Sequence, residues 1–341
     1  MTNSVAPYSN AQTQPGPDHS VEALLNQLRG NDELPPTQEL VALSDLSLAD
    51  LRRVREAWSK ISDARRLQAL HSLVEESFAN LHVQLGRLLR LALTDPLPDV
   101  RILAISGLWE DREADLVGPL IHILNNDPYD TVRAAAAQAL GAFVLAGELD
   151  ELSPALAMRA EDALLAVLHA DTEPLNVQVN ALESIAFSGE TGIRELIEDC
   201  YYSPFDEMQV ASLRAMGRSA DVRWRSTAQT ELDSPEPEMR AAAARACGEL
   251  EASDALENLI ALLSDDSKPV RLAAIFALGR LGGRQAKEML NTMSDSDDVD
   301  EAKAAAVALE ETLFYADTQR VPLLDESQEN WEDEADDWEA W

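Results

Sequence analysis

Apolar and small residues recur along this chain at the three- and four-residue spacing of one helical face. The clearest stretch is 268–283, KPVRLAAIFALGRLGG: Val-Arg, then small or apolar side chains every third or fourth position, then Leu-Gly. Residues 238–250 (EMRAAAARACGEL) and 130–143 (DTVRAAAAQALGAF) repeat it, and weaker copies start at Asp99, Leu175, Asp206 and Asp300. Anchored on the Arg of Val-Arg, the copies fall at Arg101, Arg133, Gln178, Gln209, Arg240, Arg271 and Lys303, in steps of 32, 45, 31, 31, 31 and 32 residues. A fixed period of about 20–50 residues marks a solenoid of helical hairpins. Each hairpin buries its apolar face only by stacking on its neighbours. The pattern therefore predicts an all-α solenoid.

The columns of the repeat differ in duty. Three residues after the anchor stand Ala104, Ala136, Ala181, Ser212, Ala243, Ala274 and Ala306, all small, as a closely approached helix requires. Seven after it stand Leu108, Leu140, Ile185, Met216, Cys247, Leu278 and Glu310, apolar except in the last copy, where a cap should turn polar. Eight after it, Gly recurs at 141, 217, 248 and 279. This glycine suits a helix C-terminus turning left-handed.

The unit resembles a HEAT repeat of the short bacterial kind related to phycobilisome-lyase repeats, over roughly residues 81–314. The resemblance implies a right-handed α-α superhelix, armadillo-like, with a helical N-terminal cap. It also implies a structural ladder in which Arg101, Arg133, Arg240 and Arg271 pair with acids of stacked units. The acids expected in that role are Asp99, Asp130, Asp206, Glu238 and Asp266, two to five residues before their anchors. Gln178 and Gln209 should leave the ladder weaker.

In chain order, residues 1–19 are polar and read as disordered, without the basic start and apolar core of a signal peptide. Residues 20–80 read as a helical N-terminal segment. Its first helix, 20–29, either frays or docks. Its later part covers the open face of the first repeat, with Ser47 and Asp50 placed as a capping box. Arg52, Arg53, Arg55, Arg65 and Arg66 there form either a solvated face or a site for an acidic partner. Residues 81–316 read as about seven repeats. The long step puts an insertion within 134–177, expected to lengthen the connection and the outer helix around 148–169. Residues 317–341 form an acidic tail. From Asp325 it carries nine acids, no Lys or Arg, and Trp331, Trp338 and Trp341, and it reads as disordered alone. It is either a docking motif built on those tryptophans or a solubility tail.

Charge narrows the partners. A formal net charge of −35 over 341 residues opposes binding to phosphate backbones and anionic membranes and favours cationic partners. The two cysteines, Cys200 and Cys247, offer no metal spacing and fit a reducing, cytoplasmic setting. No segment has the roughly 18 apolar residues of a membrane span.

Candidate chemistry is sparse. The five histidines, at 19, 71, 82, 122 and 169, form no His-x-x-x-His or His-Glu pair. The paired motifs of HEAT-like di-iron hydroxylases are therefore absent. No nucleophile elbow or phosphate loop appears, since residues 279–283 close a helix. No catalytic residue, cofactor or metal site is expected. The reading is a non-catalytic interaction scaffold, monomeric, with protein partners that are cationic or carry acidic-aromatic segments. The alternative is a lyase-like or chromophore-handling enzyme.

The binding surface is sought in columns free of packing duty. Those five and nine after the anchor share a helix face. In the fourth to sixth copies they gather Arg214, Arg218, Arg245, Phe276 and Arg280. Either these arginines pair with local acids such as Glu249, or they form a groove for acidic-aromatic segments, the chain's own tail among them.

Overall fold

The computed structural model describes residues 21–30 and 33–318, with side chains to residue 312. Expectations about 1–19 and about the tail beyond 318 lie outside the described residues. The described residues form α-helices and short 3-10 helices, several of the latter running directly into an α-helix, and no strand occurs among them. The fold is an all-α solenoid of stacked hairpins.

Contacts divide the chain into two compact units, between Ile193 and Arg194. The first holds α1 (Val21–Arg29), α2 (Thr37–Leu40), α3 (Leu48–Trp58), α4 (Asp63–Ala79), α5 (Gly86–Ala92), α6 (Pro98–Gly107), α7 (Val117–Asn126), α8 (Asp130–Glu148), α9 (Pro154–Leu168) and α10 (Leu175–Ile185). The boundary falls within α11 (Thr191–Tyr201). The second unit continues with α12 (Asp206–Arg218), α13 (Arg225–Thr230), α14 (Pro237–Glu249), α15 (Leu256–Leu262), α16 (Lys268–Leu281), α17 (Gly283–Ser294) and α18 (Val299–Thr318). In the first unit the row α4, α6, α8, α10 stacks in order, and in the second the row α12, α14, α16, α18.

The small and apolar columns are buried because they face the next hairpin. Ala104, Ala136, Ala181, Ser212, Ala243 and Ala274 are all fully enclosed. Leu108, Leu140, Ile185, Met216, Cys247 and Leu278 lie in the core, and burial pushes the Cys247 thiol up to about 12. Cys247 is thus a small apolar filler.

The recurrent glycines do something other than end helices. Gly141, Gly217, Gly248 and Gly279 have no left-handed backbone; that conformation falls eleven residues after the anchor, at Ala220 (φ 52°), Glu251 (φ 51°) and Gly282 (φ 62°). The glycines admit the next helix. A Cβ on Gly248 would lie 2.7 Å from Ala277 Cα, and one on Gly279 would lie 2.7 Å from Ala308 Cβ. A spacing of 29 residues separates each of these pairs, and Gly217 lies 3.0 Å by the same measure from Ala246 Cα. That register makes Ala302, not Lys303, the last anchor. Ala305 is then the buried small residue of α18, whereas Lys303 and Ala306 are exposed. Among the described residues no hairpin follows α18, so a charged anchor there would have no carboxylate to meet.

The arginine ladder runs through both units. Arg101 Nε and Nη2 donate to the two carboxylate oxygens of Asp127 at 2.7 and 2.8 Å, and Arg240 does the same to Asp265 at 2.8 and 3.0 Å. Arg133 binds Glu173 and Arg271 binds Glu301. The remaining Nη1 of each anchor donates to the carbonyl six residues earlier: Asp95 for Arg101, Asp127 for Arg133, Ser234 for Arg240 and Asp265 for Arg271. The acids are therefore not Asp99, Asp130, Asp206, Glu238 and Asp266. Those lie in or just before the first helical turn. Asp95, Asp127 and Asp265 lie in the loop that ends the preceding helix, close to the arginine below. Each also accepts the backbone N–H two residues on, at Leu97, Tyr129 and Ser267. Gln178 and Gln209 reach only carbonyls, of Ala170 and Ser203.

The N-terminal segment adds a rung. Arg66 Nε and Nη2 grip Asp95 at 2.7 and 3.0 Å, with side chains 2% and 0% exposed. Its Nη1 donates to the Ile61 carbonyl and Asp95 also accepts from Trp58 Nε1. Ala69 and Leu73 then occupy the small and apolar columns, so α4 is a repeat helix 35 residues before Arg101. Helix α1 docks on α3, burying Leu24, Leu25 and Leu28, and Arg65 donates to the Leu28 and Gln27 carbonyls at its C-terminus. Ser47 caps α3, its Oγ accepting from Asp50 N. The insertion lengthens α8 to 19 residues as well as α9 to 15, and the connection between them is only 149–153.

A buried, fully bonded pair leaves a costly orphan when one side is removed. Arg66→Ala should destabilise by about 3–5 kcal/mol, whereas Arg53→Ala, which breaks the exposed pair with Asp50, should cost far less. Chemical unfolding of the two variants, followed by circular dichroism, measures the difference; equal midpoints would show that the rung carries no stability.

Candidate functional site

The second unit presents a stripe of positive charge on the stacked helices α12, α14 and α16. Its residues stand at columns that the small and apolar positions leave facing outward. Arg214 and Arg245 are exposed, while Arg218, Phe276 and Arg280 are half-buried. The Arg245 guanidinium lies 4.4 Å from the centre of the Phe276 ring, a cation–π contact between α14 and α16. Arg245 Nε also donates to Glu249 Oε1 at 3.0 Å, one turn along α14.

Glu249 is the centre of the cluster. Its carboxylate leans over Gly217 of α12, where a Cβ would come within 2.3 Å of Oε2. Gly217 thus serves both the helix contact and the seat of this carboxylate. Burial raises the Glu249 carboxyl above its ordinary value, and the positive fields of Arg245, Arg218 and Arg280 oppose that rise. Arg214, Arg218 and Arg280 have partners of their own. A local acid thus pairs with Arg245, and the Glu249 carboxylate lies in the fields of Arg245, Arg218 and Arg280. Trp224 is buried and belongs to the core, and Arg223 pairs with Asp221 in the turn before it. In the first unit the same two columns hold Ser106, Gln138 and Glu183, then Glu110, Ala142 and Phe187, with no comparable cluster of arginines.

Elsewhere the structure offers little for chemistry. His71 and Glu75 form an exposed pair at 3.3 Å. Among the described residues no group of three or more His, Cys, Asp or Glu could hold a metal ion, and no helix is long and apolar enough to cross a membrane. Trp331, Trp338 and Trp341 lie outside the described residues.

The HEAT repeats family matches residues 86–163 and 226–310. The chain carries HEAT repeats. The matched segments contain the ladder arginines 101, 133, 240 and 271, as well as Arg245, Phe276 and Arg280 of the stripe. No curated protein matches the chain in sequence. Among solved structures, the complex of CpcE and CpcF of phycocyanin lyase from Nostoc sp. PCC7120 is 18% identical, covering 91% of this chain and 93% of that one at a TM-score of 0.39. The YibA protein of E. coli is 17% identical over 82% of this chain and 99% of its own, at 0.41. Importin beta is 15% identical over 86% of this chain and 44% of its own, at 0.42. At such scores these likenesses carry nothing about function.

The HEAT stripe makes a pH-dependent prediction. A carboxyl raised in the folded state costs nothing below its unfolded value of 4.5 and penalises folding increasingly as pH rises through the folded value. Glu249→Gln should therefore melt higher than the parent chain at neutral pH, and the gap should close as pH falls below 4.5. Melting curves between acid and neutral pH check this; a gap independent of pH would place the burial penalty elsewhere.

Proposed function

We propose that this HEAT-repeat chain is a non-catalytic protein–protein interaction scaffold of the cytoplasm, monomeric, and that its arginine stripe captures acidic-aromatic segments. The observation that carries the reading is the Arg245–Phe276 stack beside Glu249, with Arg214, Arg218 and Arg280 on the same stripe, in a chain whose net charge is −35. Guanidinium groups suit both halves of such a ligand. They take carboxylates in a fork and stack on aromatic faces. Glu249 is the internal stand-in: it holds Arg245 in place until a ligand carboxylate competes for it. An incoming indole would extend the Arg245–Phe276 stack.

The chain's own tail, with nine acids and three tryptophans in 325–341, has the matching composition. A partner segment of the same kind would use the same contacts. Ligand and stripe are of opposite charge and partly exposed, so affinity should fall as salt rises.

The test is titration of a labelled peptide of residues 325–341 into a chain ending at residue 320. Binding is expected at low salt, weakened by Arg214→Glu plus Arg245→Glu by about tenfold or more, the equivalent of roughly 1.4 kcal/mol. Glu249→Gln should tighten it by removing the competitor. No binding at low salt, or binding indifferent to the double reversal, removes the stripe as a docking site.

A further inference from the structure

The first unit contains a surface of opposite character. In the column eight residues after the anchor, the five copies anchored on residues 133, 178, 209, 240 and 271 hold Gly or Ala, and at Gly141, Gly217, Gly248 and Gly279 the next helix passes there. The copy anchored on Arg101 holds Trp109. An indole cannot occupy that gap, so Trp109 stands outward just past the end of α6, 54% exposed. It does not stand alone. Phe78, at the end of α4, is 60% exposed with its ring 6.2 Å from the Trp109 ring, and Leu81 in the following turn is 81% exposed. These side chains border a cleft of about 450 Å³, floored by Val83, Leu89 and Gly107. A second cleft of about 270 Å³ lies across Trp109 and reaches Gln138, Ala142 and Phe143 of α8. One exposed tryptophan, with Phe78 and Leu81 beside it, thus borders two adjoining hollows, the geometry of an anchor point rather than of a scattered surface residue.

The rim fixes the charge of the occupant. It carries Glu110, Asp111 and Glu113 against Arg112. Asp111 is taken by Arg90, whose Nε and Nη2 donate to it at 2.9 and 2.8 Å, and Arg112 Nη1 donates to the Trp109 carbonyl at 2.8 Å. Glu110 and Glu113 are exposed carboxylates. They repel an acidic segment, the tail included, and an anionic lipid surface.

We propose that this double cleft is a second docking site, for a Lys/Arg-rich segment of a partner protein that inserts bulky apolar side chains beside Trp109. Complementary charge steers the segment in and excludes acidic competitors. The apolar anchors supply most of the affinity. The scaffold then has two surfaces of opposite preference, one in each unit.

The probe is a labelled peptide of about twelve residues, roughly 18 Å as a helix, with Leu and Trp at helical spacing and Lys elsewhere. Two matched peptides carry Glu for every Lys, or Ser for every Leu and Trp. The full chain should bind the first peptide, and should bind neither matched peptide within about tenfold of it. Leu81→Ser and Trp109→Ala should each weaken binding about tenfold, while Met158→Ser, at an exposed apolar residue of α9, should leave it unchanged. The Leu81 variant guards against misfolding, because that side chain is almost wholly in solvent. Arg214→Glu plus Arg245→Glu should also leave it unchanged, which separates this site from the arginine stripe. Equal binding of the Ser-substituted peptide would mean mere charge attraction to an acidic chain. That result, or parent affinity in both the Leu81 and Trp109 variants, overturns the proposal.

Discussion

The structure depends on one repeated contact: an arginine on the second helix of a hairpin paired with a carboxylate of the next, gripped through both oxygens in a turn by Arg66, Arg101 and Arg240. Helices rich in alanine make flat, similar faces, and such faces could slide past one another by a turn. The fork forbids this, because guanidinium and carboxylate match in only one geometry. Every arm of the anchor is used. Two nitrogens hold the acid and the third holds the carbonyl where the preceding helix ends, so burial leaves no orphan donor on Arg101 or Arg240. The columns vary together. Where the anchor is Gln209, the residue six before the next anchor is Ser234 instead of Asp, and the glutamine keeps only its carbonyl.

Much of this was legible beforehand, and the failures have causes. The anchors, the small column and the apolar column follow from a helix's need to bury one face, and they appear directly in the residues. The acids are not legible in this way: first-turn carboxylates lie nearest the anchor along the chain, whereas the partners of Arg66, Arg101, Arg133 and Arg240 lie in loops across the stack and Arg271 takes Glu301 of α18. Arg66 was hidden by its irregular step, although Ala69 and Leu73 repeat the neighbouring columns. The glycines were ambiguous in principle. A residue without Cβ suits a left-handed turn and a tight crossing equally, and only the position of the next helix separates the two. Lys303 stands out in the sequence as a cation, whereas Ala302, which the stacking register selects, carries no charge to mark it.

The arginine stripe shows the same division. That Arg214, Arg218, Arg245, Phe276 and Arg280 share a face follows from helical spacing and a common period. That Glu249 sits among them, seated on Gly217, does not, since it needs the approach of α12 and α14. The Trp109 surface left a plain trace, a bulky residue in a column of glycines, but its meaning required knowing why the column is small.

The six-residue gap between loop acid and anchor is a ruler at one edge of the stack. An inserted or deleted residue there would detach the carboxylate from both the arginine and the backbone N–H that it caps. Where Asp95, Asp127 and Asp265 hold that gap, length is accommodated elsewhere, as at the end of the second helix of a hairpin. At both irregular steps the second helix is extended: α4 and α8 overrun their counterparts at their C-termini, leaving Phe78 and Leu149 in solvent, and at the longer step α9 is extended as well. Within a stack, the loop that carries the acid is thus fixed by electrostatics while the far end of the hairpin is free to diversify, and new surface can accumulate there without disturbing the register of neighbouring hairpins.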